Sequence, residues 1–235
     1  MSPALSGGRR ERREPPIVLD PQQFPTEDSE IFLTGPAGKL ECLIEIPEPE
    51  LERPATAVIC HPHPLHGGTL RNKVVTIIER ALRESGLRTV RFNFRGAGDS
   101  EGEYDEGNGE IEDLLTVTDW VQKTRPADDL WLAGFSFGAF VALKAAQNLP
   151  VRQIVTIAPP VERYGFEHLL PPNCPWLVVQ GDEDDVVSAT AVQQWADALD
   201  QPPNLIIMEG ADHFFHRRLM DLRGLIKNHV QSSLP

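Results

Sequence analysis

Residues 131–146 read WLAGFSFGAFVALKAA, and they hold the most informative turn in the chain. The apolar run DLWLAGF is typical of a buried strand, and the run FGAFVALKAAQNL that follows is typical of a helix. Between them GFSFG matches the pattern Gly-x-Ser-x-Gly, in which Ser136 would occupy a sharp turn from strand to helix. Gly134 and Gly138 would let neighbouring backbone approach without a Cβ clash. The pattern indicates a nucleophile elbow, and a glycine-flanked packing joint is the alternative.

The rest of the chain alternates between strand and helix signals. Apolar runs such as TAVICHP, LRTVRFNF, RQIVTIAP, PWLVVQG and NLIIME are separated by amphipathic runs such as NKVVTIIERALRESG, GEIEDLLTVTDWVQK, ATAVQQWADAL and FFHRRLMDLRGLIKNHVQ. This alternation predicts an α/β fold, with a mostly parallel central sheet and helices on both faces. IFLTGPAGKLECLIEIP predicts an N-terminal antiparallel hairpin. We expect one domain over residues 30–235, after a flexible leader over residues 1–29.

Composition limits the possible functions. The 235 residues are 40% hydrophobic and 24% charged, as in an ordinary globular protein, and their formal net charge is −13. An acidic body argues against nucleic acid or an anionic membrane as the main partner. No apolar run is long enough to span a membrane. The three cysteines, Cys42, Cys60 and Cys174, match neither a disulfide framework nor a metal motif, which fits a reducing cytoplasm.

A serine nucleophile needs a base, and the base needs an acid that orients it. On a parallel sheet these residues should follow later strands, in the order Ser, Asp or Glu, His. LVVQGDEDDVV supplies Asp182, Asp184 and Asp185 after one strand, and LIIMEGADHFFH supplies His213 after the next. The sequence therefore predicts a catalytic triad with Ser136 as nucleophile, His213 as general base and one of the three aspartates as the acid.

Five motifs in this order, HPHPLHGG, RFNFRGAGDSEG, GFSFG, QGDEDDVV and GADHFF, resemble the α/β-hydrolase superfamily. The resemblance runs from about Ile31 to the C-terminus. It is to small, lidless bacterial esterases of dienelactone-hydrolase-like build, which share the HPHP-x-x-GG loop. The resemblance implies that Asp184, three residues after the glycine that follows the strand, is the triad acid. Asp182 and Asp185 remain competitors.

Acyl transfer also needs N–H donors for the developing oxyanion. Phe137, directly after the nucleophile, supplies one donor in this architecture. The resemblance places the second on the loop after AVIC, at His63, with Leu65 as the next candidate. Pro62 and Pro64 have no N–H to donate and are expected to stiffen this loop.

The same loop could suggest a metal site, because His61, His63 and His66 have H-x-H-x-x-H spacing. A hydrolytic metal site needs carboxylate partners nearby, and this loop has none. We therefore predict no metal and no organic cofactor. His61 is expected to tie the loop to its neighbours instead.

The interval that could form a lid is short. Residues 159–174, PPVERYGFEHLLPPNC, offer about one short helix, so we predict no large cap domain. Leu65, Tyr164, Phe166 and Phe214 are expected to line a shallow pocket for small acyl substrates, and for Tyr164 and Phe166 plain packing is the alternative.

These observations predict a serine hydrolase, specifically a carboxylesterase that cleaves small short-chain acyl esters through an acyl-enzyme. We expect a cytoplasmic monomer or homodimer. A thioesterase or a peptidase would use the same residues, so both remain alternatives. A non-enzymatic scaffold on a hydrolase fold is the alternative from a different class, and it predicts that a triad member is missing.

Overall fold

Eight strands form one sheet in the computed structural model, which describes residues 19–235. In chain order they are β1 (Ser29–Gly35), β2 (Gly38–Glu45), β3 (Ala55–Cys60), β4 (Arg88–Phe92), β5 (Asp129–Phe135), β6 (Val151–Ile157), β7 (Trp176–Gly181) and β8 (Asn204–Met208). Their order in the sheet is β1-β2-β4-β3-β5-β6-β7-β8. β1 and β2 form an antiparallel hairpin, β2 pairs antiparallel with β4, and all other pairs are parallel. The predicted mostly parallel sheet with an N-terminal hairpin is confirmed.

Helices cover both faces of this sheet. They are α1 (Lys73–Arg83), α2 (Asn108–Thr124), α3 (Phe137–Ala146), α4 (Ala189–Asp197) and α5 (Leu219–Val230). α1 and α5 share one apolar cluster with the sheet, while α2, α3 and α4 share the other. Because side chains alternate along a strand, Trp131 of β5 belongs to the first cluster and Leu132 to the second. A strand buried on both faces must be apolar throughout, as β5 is.

α5 begins at Leu219 rather than near Phe214, where its apolar pattern starts. Phe215 and Arg217 have positive φ angles of 53° and 62°, which an α-helix does not accommodate. The chain between β8 and α5 is therefore a series of turns, and His213 lies in it.

The end of the predicted leader packs against the domain. Phe24 is buried, and its ring stacks on that of Trp120 in α2 with centroids 5.2 Å apart. The indole Nε1 of Trp120 donates a hydrogen bond to the carbonyl of Pro21 at 2.8 Å. The packed part of the chain thus begins before the expected boundary at residue 30, because the apolar ring of Phe24 packs on α2. The rest of the predicted leader, residues 1–18, lies outside the described residues.

The outer edge of β1 is occupied by this same segment. The N–H of Asp20 donates to the carbonyl of Phe32 at 2.8 Å, and the carboxylate of Asp20 accepts the N–H of Thr34 at 2.7 Å. These bonds use backbone groups that an edge strand would otherwise present to another chain. At the opposite edge, β8 has no further strand beside it among residues 19–235.

All three cysteines are free thiols. Cys42 and Cys60 lie in the core, and Cys174 is half-buried. Burial raises the pKa of Cys174 to about 11, so this thiol is protonated at neutral pH. Within the described range, no helix has both the length and the apolar character needed to cross a membrane.

Candidate active site

Ser136 occupies a strained turn between β5 and α3. Its φ and ψ of 53° and −120° are rarely adopted by L residues, and its N–H donates to the carbonyl of Ile157 at 2.8 Å. The two flanking glycines pack backbone on backbone. A Cβ at Gly134 would lie 2.2 Å from the oxygen of Gly138, and one at Gly138 would lie 2.4 Å from the oxygen of Cys60. Only glycine therefore fits at these two positions.

Asp184 follows β7, and its side chain is completely buried. Its Oδ1 accepts the N–H groups of Val186 at 2.8 Å and Val187 at 2.7 Å. Its Oδ2 accepts from Nε2 of Gln180 at 2.9 Å and lies 2.8 Å from Nδ1 of His213. Burial acts to raise the pKa of Asp184, but the hydrogen bonds from His213 and from the backbone outweigh it and hold that pKa below its ordinary value. The carboxylate is thus ionised and acts only as an acceptor.

His213 lies between this carboxylate and an open cleft. Its side chain is only 4% exposed, and its ring packs against Phe135 and Phe214 at centroid distances of 5.0 Å and 5.1 Å. Because Nδ1–H donates to the ionised Asp184, Nε2 is left as the basic nitrogen of the ring. His213 and Ser136 line the same cleft.

The two competing aspartates make other contacts. Oδ1 of Asp182 accepts the N–H of Gly210 at 2.7 Å. Asp185 is exposed, and its side chain makes no hydrogen bond within the described range. Of the three aspartates, the geometry joins Asp184 to His213.

The loop after β3 is fixed by His61, which is fully buried. Its Nε2 accepts the N–H of Phe94 at 3.0 Å, and its Nδ1 bonds to the carbonyl of Pro62 at 2.6 Å. Burial lowers the pKa of His61 to about 4, so the ring is neutral near neutral pH. Both ring nitrogens are occupied, and the loop after β3 is thereby tied to the segment after β4.

His63 stands before the short 3-10 helix Pro64–His66. Its Nδ1 accepts the N–H of Leu65 at 3.2 Å, and its Nε2 lies 3.1 Å from the hydroxyl of Tyr104. Since Nδ1 is an acceptor, the neutral ring carries its proton on Nε2 and donates it to Tyr104. These two contacts fix the orientation of the His63 side chain.

Two backbone N–H groups near Ser136 are left without partners. Phe137 is the first residue of α3, where an N–H has no partner within the helix. Neither this N–H nor that of His63 donates to another group within residues 19–235. The rings of Phe137 and His63 lie 5.1 Å apart, and both residues line the cleft. The two N–H groups are available to an anionic oxygen.

The cleft above Ser136 has a volume of about 300 Å³. Between β6 and β7 the chain forms only the short 3-10 helix Phe166–His168, so this interval places no helical cap over the cleft. Loops from several strands contribute its lining, which consists of Pro62, His63, His66, Gly67, Gly68, Asn72, Ser136, Phe137, Pro160, Arg163, Tyr164, Val186, Val187, His213 and Phe214.

Of the four side chains expected in the pocket, Tyr164 and Phe214 line the cleft, and Leu65 and Phe166 do not. Leu65 is 70% exposed and lies outside the cleft lining. Phe166 is fully buried and packs against Phe140 at a centroid distance of 5.9 Å. The expectation for Leu65 and Phe166 is corrected accordingly, because loop turns direct one side chain to solvent and the other into the core.

The sequence motifs do not identify three residues of this region, Tyr104, Arg163 and Gln180. Gln180 could have been found, because a polar side chain inside the otherwise apolar strand LVVQG needs a hydrogen-bond partner when it is buried. Tyr104 and Arg163 lie in loops, where no periodicity indicates the direction of a side chain.

Known proteins share this architecture. A family model described as an alpha/beta hydrolase domain matches residues 56–231. A lidless α/β serine hydrolase from Xanthomonas campestris is 48% identical, with 91% of this chain and 98% of that chain covered and a TM-score of 0.88. An α/β serine hydrolase homologue from Coxiella burnetii is 47% identical, with 88% and 100% covered and a TM-score of 0.86. A dienelactone hydrolase from Anabaena variabilis, 19% identical over 89% of this chain and 99% of its own, has a TM-score of 0.75 and shows likeness of fold alone.

Proposed function

The chain belongs to the α/β-hydrolase family, and from this premise we propose that it is a serine hydrolase acting on small carboxylic esters. One observation carries the proposal. Nδ1 of His213 lies 2.8 Å from Oδ2 of a buried, ionised Asp184, and His213 lines the same cleft as Ser136. An acid that orients a base beside a strained serine is the arrangement that activates a hydroxyl nucleophile.

In the proposed reaction, Oγ of Ser136 attacks the acyl carbonyl carbon while Nε2 of His213 accepts the hydroxyl proton. Asp184 holds the imidazole in the required tautomer and stabilises its charged form. The carbonyl oxygen becomes an oxyanion, which accepts hydrogen bonds from the N–H groups of Phe137 and His63. When the tetrahedral intermediate collapses, the bond to the alcohol breaks and His213 gives its proton to the leaving alkoxide.

A water molecule completes the cycle. His213 accepts a proton from this water as its oxygen attacks the acyl-enzyme, and a second oxyanion forms at the same two N–H groups. The ester bond to Ser136 then breaks, and His213 returns the proton to the serine oxygen. The ester and one water are the only reactants, and the products are a carboxylic acid and an alcohol.

The size of the cleft supports small substrates. A volume of about 300 Å³ lies at the lower end of the range for ligand sites. The 3-10 helix between β6 and β7 adds no apolar tunnel for a long acyl chain. Short-chain esters therefore fit better than lipids.

The test is a chain-length series of p-nitrophenyl esters with the unaltered protein and with Ser136→Ala. The exposed Ser232→Ala serves as the matched control. We expect turnover to be fastest with short acyl groups, to disappear in Ser136→Ala and to be unchanged in Ser232→Ala. A thioester and an anilide with the same acyl group distinguish an esterase from a thioesterase or a peptidase.

A fluorophosphonate probe examines the nucleophile without any assumption about the substrate. We expect the probe to label Ser136 in the folded protein and to leave Ser136→Ala unlabelled. A folded protein that neither labels nor hydrolyses any of these compounds would contradict the proposal and favour a scaffold role.

A further inference from the structure

The cleft above the proposed nucleophile differs in charge from the rest of the molecule. The whole chain has 35 acidic and 22 basic residues and a formal net charge of −13. Within residues 19–235 no Asp or Glu lines the cleft, whose ionisable side chains are Arg163, Tyr164, His63, His66 and His213. An acidic protein therefore presents a neutral-to-positive surface to its substrate.

Arg163 supplies the fixed positive charge in this cleft. Its side chain is exposed and forms no ion pair or hydrogen bond with another group in the part of the chain that the structure describes. Its backbone is well held, because its N–H donates to the carbonyl of Pro160 at 3.0 Å. The next residue, Tyr164, is fixed against the rings of Phe137 and Phe140 at 5.3 Å and 5.2 Å. The backbone of Arg163 is thus held at the rim of the cleft, and its guanidinium is free to meet a ligand there.

The charge of Arg163 affects two other residues of the cleft, His63 and Tyr164. The pKa of His63 is lowered chiefly by burial, and the charges of His66 and Arg163 lower it further. Burial raises the pKa of Tyr164, and Arg163 opposes that rise. The guanidinium therefore lies within electrostatic range of the His63 loop, which holds one of the two unpaired N–H groups.

We infer that the substrate is an ester whose acyl or alcohol part carries a carboxylate, and that this carboxylate binds the guanidinium of Arg163. The inference rests on the proposed ester hydrolysis at Ser136. A guanidinium presents two parallel N–H donors that match the two oxygens of a carboxylate. A positive cleft in an acidic protein also favours anionic over neutral ligands at that one surface.

The experiment uses two pairs of esters that differ only in charge. Monomethyl glutarate and methyl 4-carbamoylbutanoate place a carboxylate or its neutral amide in the acyl part, and 4-acetoxybenzoate and 4-acetoxybenzamide place them in the alcohol part. The ratio of kcat/KM for the anionic ester to that for the neutral ester is measured by proton release. The proteins are the unaltered chain, Arg163→Gln, Arg163→Lys and a matched control, Arg152→Gln.

Arg163→Gln is expected to lower this ratio about tenfold in one of the two pairs, because it removes a charge-assisted hydrogen bond. The affected pair shows whether the carboxylate belongs to the acyl or the alcohol part. Arg163→Lys should retain part of the ratio, since it keeps the charge and loses the planar fork. Arg152 is 57% exposed near the start of β6, at the end of the strands away from the cleft. Arg152→Gln therefore removes the same charge and is expected to leave the ratio unchanged.

An unchanged ratio in both pairs, with the esters hydrolysed, would overturn the role of Arg163 and leave the proposed hydrolysis standing. If no ester is hydrolysed, the proposed function fails, and carboxylate binding is measured by calorimetric titration of glutarate and 4-hydroxybenzoate into Ser136→Ala. Binding that weakens about tenfold on adding Arg163→Gln supports the anion site. Absent binding, or binding that Arg163→Gln leaves unchanged, overturns it.

Discussion

Gly138 lies so close to Cys60 that a Cβ at its position would come within 2.4 Å of the Cys60 carbonyl oxygen. The first turn of α3 therefore rests directly on the end of β3. This contact places the elbow that holds Ser136 beside the loop that holds His63. Backbone packing on backbone thus sets the spacing of the two N–H groups proposed to bind the oxyanion.

Gly138→Ala is expected to lower the free energy of unfolding by about 3 kcal/mol, because the atoms in the way belong to the backbone. Gly224→Ala is the matched control, since a Cβ there meets nothing within 4 Å. Inside α5 that substitution should raise the free energy of unfolding by about 1 kcal/mol. Urea unfolding of both variants measures the difference, and equal stability of Gly138→Ala and the unaltered protein would contradict the contact.

Asp184→Asn is expected to lower kcat about 10⁴-fold, because an amide no longer holds His213 in the required tautomer. Asp182→Asn and Asp185→Asn are the controls, and their kcat should stay within about twofold of the unaltered protein. Steady-state hydrolysis of a short p-nitrophenyl ester compares the three variants. If Asp182→Asn or Asp185→Asn lowered kcat as much as Asp184→Asn does, Asp184 could no longer be assigned as the triad acid.

His61 should make the folded state sensitive to mild acid. Its pKa is about 4 in the folded protein and 6.5 by its ordinary value. Above that ordinary value the ring is neutral in both states. As pH falls from 6.5 towards 4, the unfolded chain binds a proton that the folded protein excludes, so the free energy of unfolding decreases, by up to about 3 kcal/mol.

His61→Gln removes this titration and keeps an acceptor for the N–H of Phe94. We expect the variant to be less stable than the unaltered protein near neutral pH, and the gap between them to narrow in mild acid. Urea unfolding across that pH interval measures both curves, with the exposed His66→Gln as control. An acid dependence that persists unchanged in His61→Gln would mean that other groups cause it.

We propose that residues 19–235 form one folding unit, and Phe24 tests where that unit begins. Phe24→Ala should lower the free energy of unfolding by about 3 kcal/mol, since its ring is 9% exposed and stacked on Trp120. Leu19 is 56% exposed, so Leu19→Ala should change stability by no more than about 0.5 kcal/mol. A single urea transition is expected for each protein. If Phe24→Ala is as stable as the unaltered protein, the folding unit begins near residue 30 instead.

The layers of the fold and the order of the candidate site could be predicted from the sequence. Strands covered on both faces have to be apolar along their whole length, so β5 can be recognised in the sequence as an uninterrupted apolar run. Parallel strands also end at one edge of the sheet. Residues after β5, β7 and β8 therefore had to meet, and Ser136, Asp184 and His213 do lie there.

The directions of loop side chains could not be predicted, because they depend on single backbone angles. Tyr164 and Gly165 have φ angles of 60° and 69°, and this turn separates a ring in the cleft from Phe166 in the core. The positive φ angles of Phe215 and Arg217 likewise prevent α5 from beginning before Leu219. Apolar periodicity carries no information about such angles, so the sequence pattern extended the helix too far.

The hydrogen bonds of Asp20 to Phe32 and Thr34 have a consequence for self-association. Two backbone groups on the outer side of β1 are thereby paired, whereas β8 has no strand beside it within residues 19–235. Pairing of β8 with its counterpart in a second molecule would use the open edge of the described sheet in each. Because part of the β1 edge is already occupied by Asp20, such pairing favours a closed pair of molecules over continued growth into a fibre.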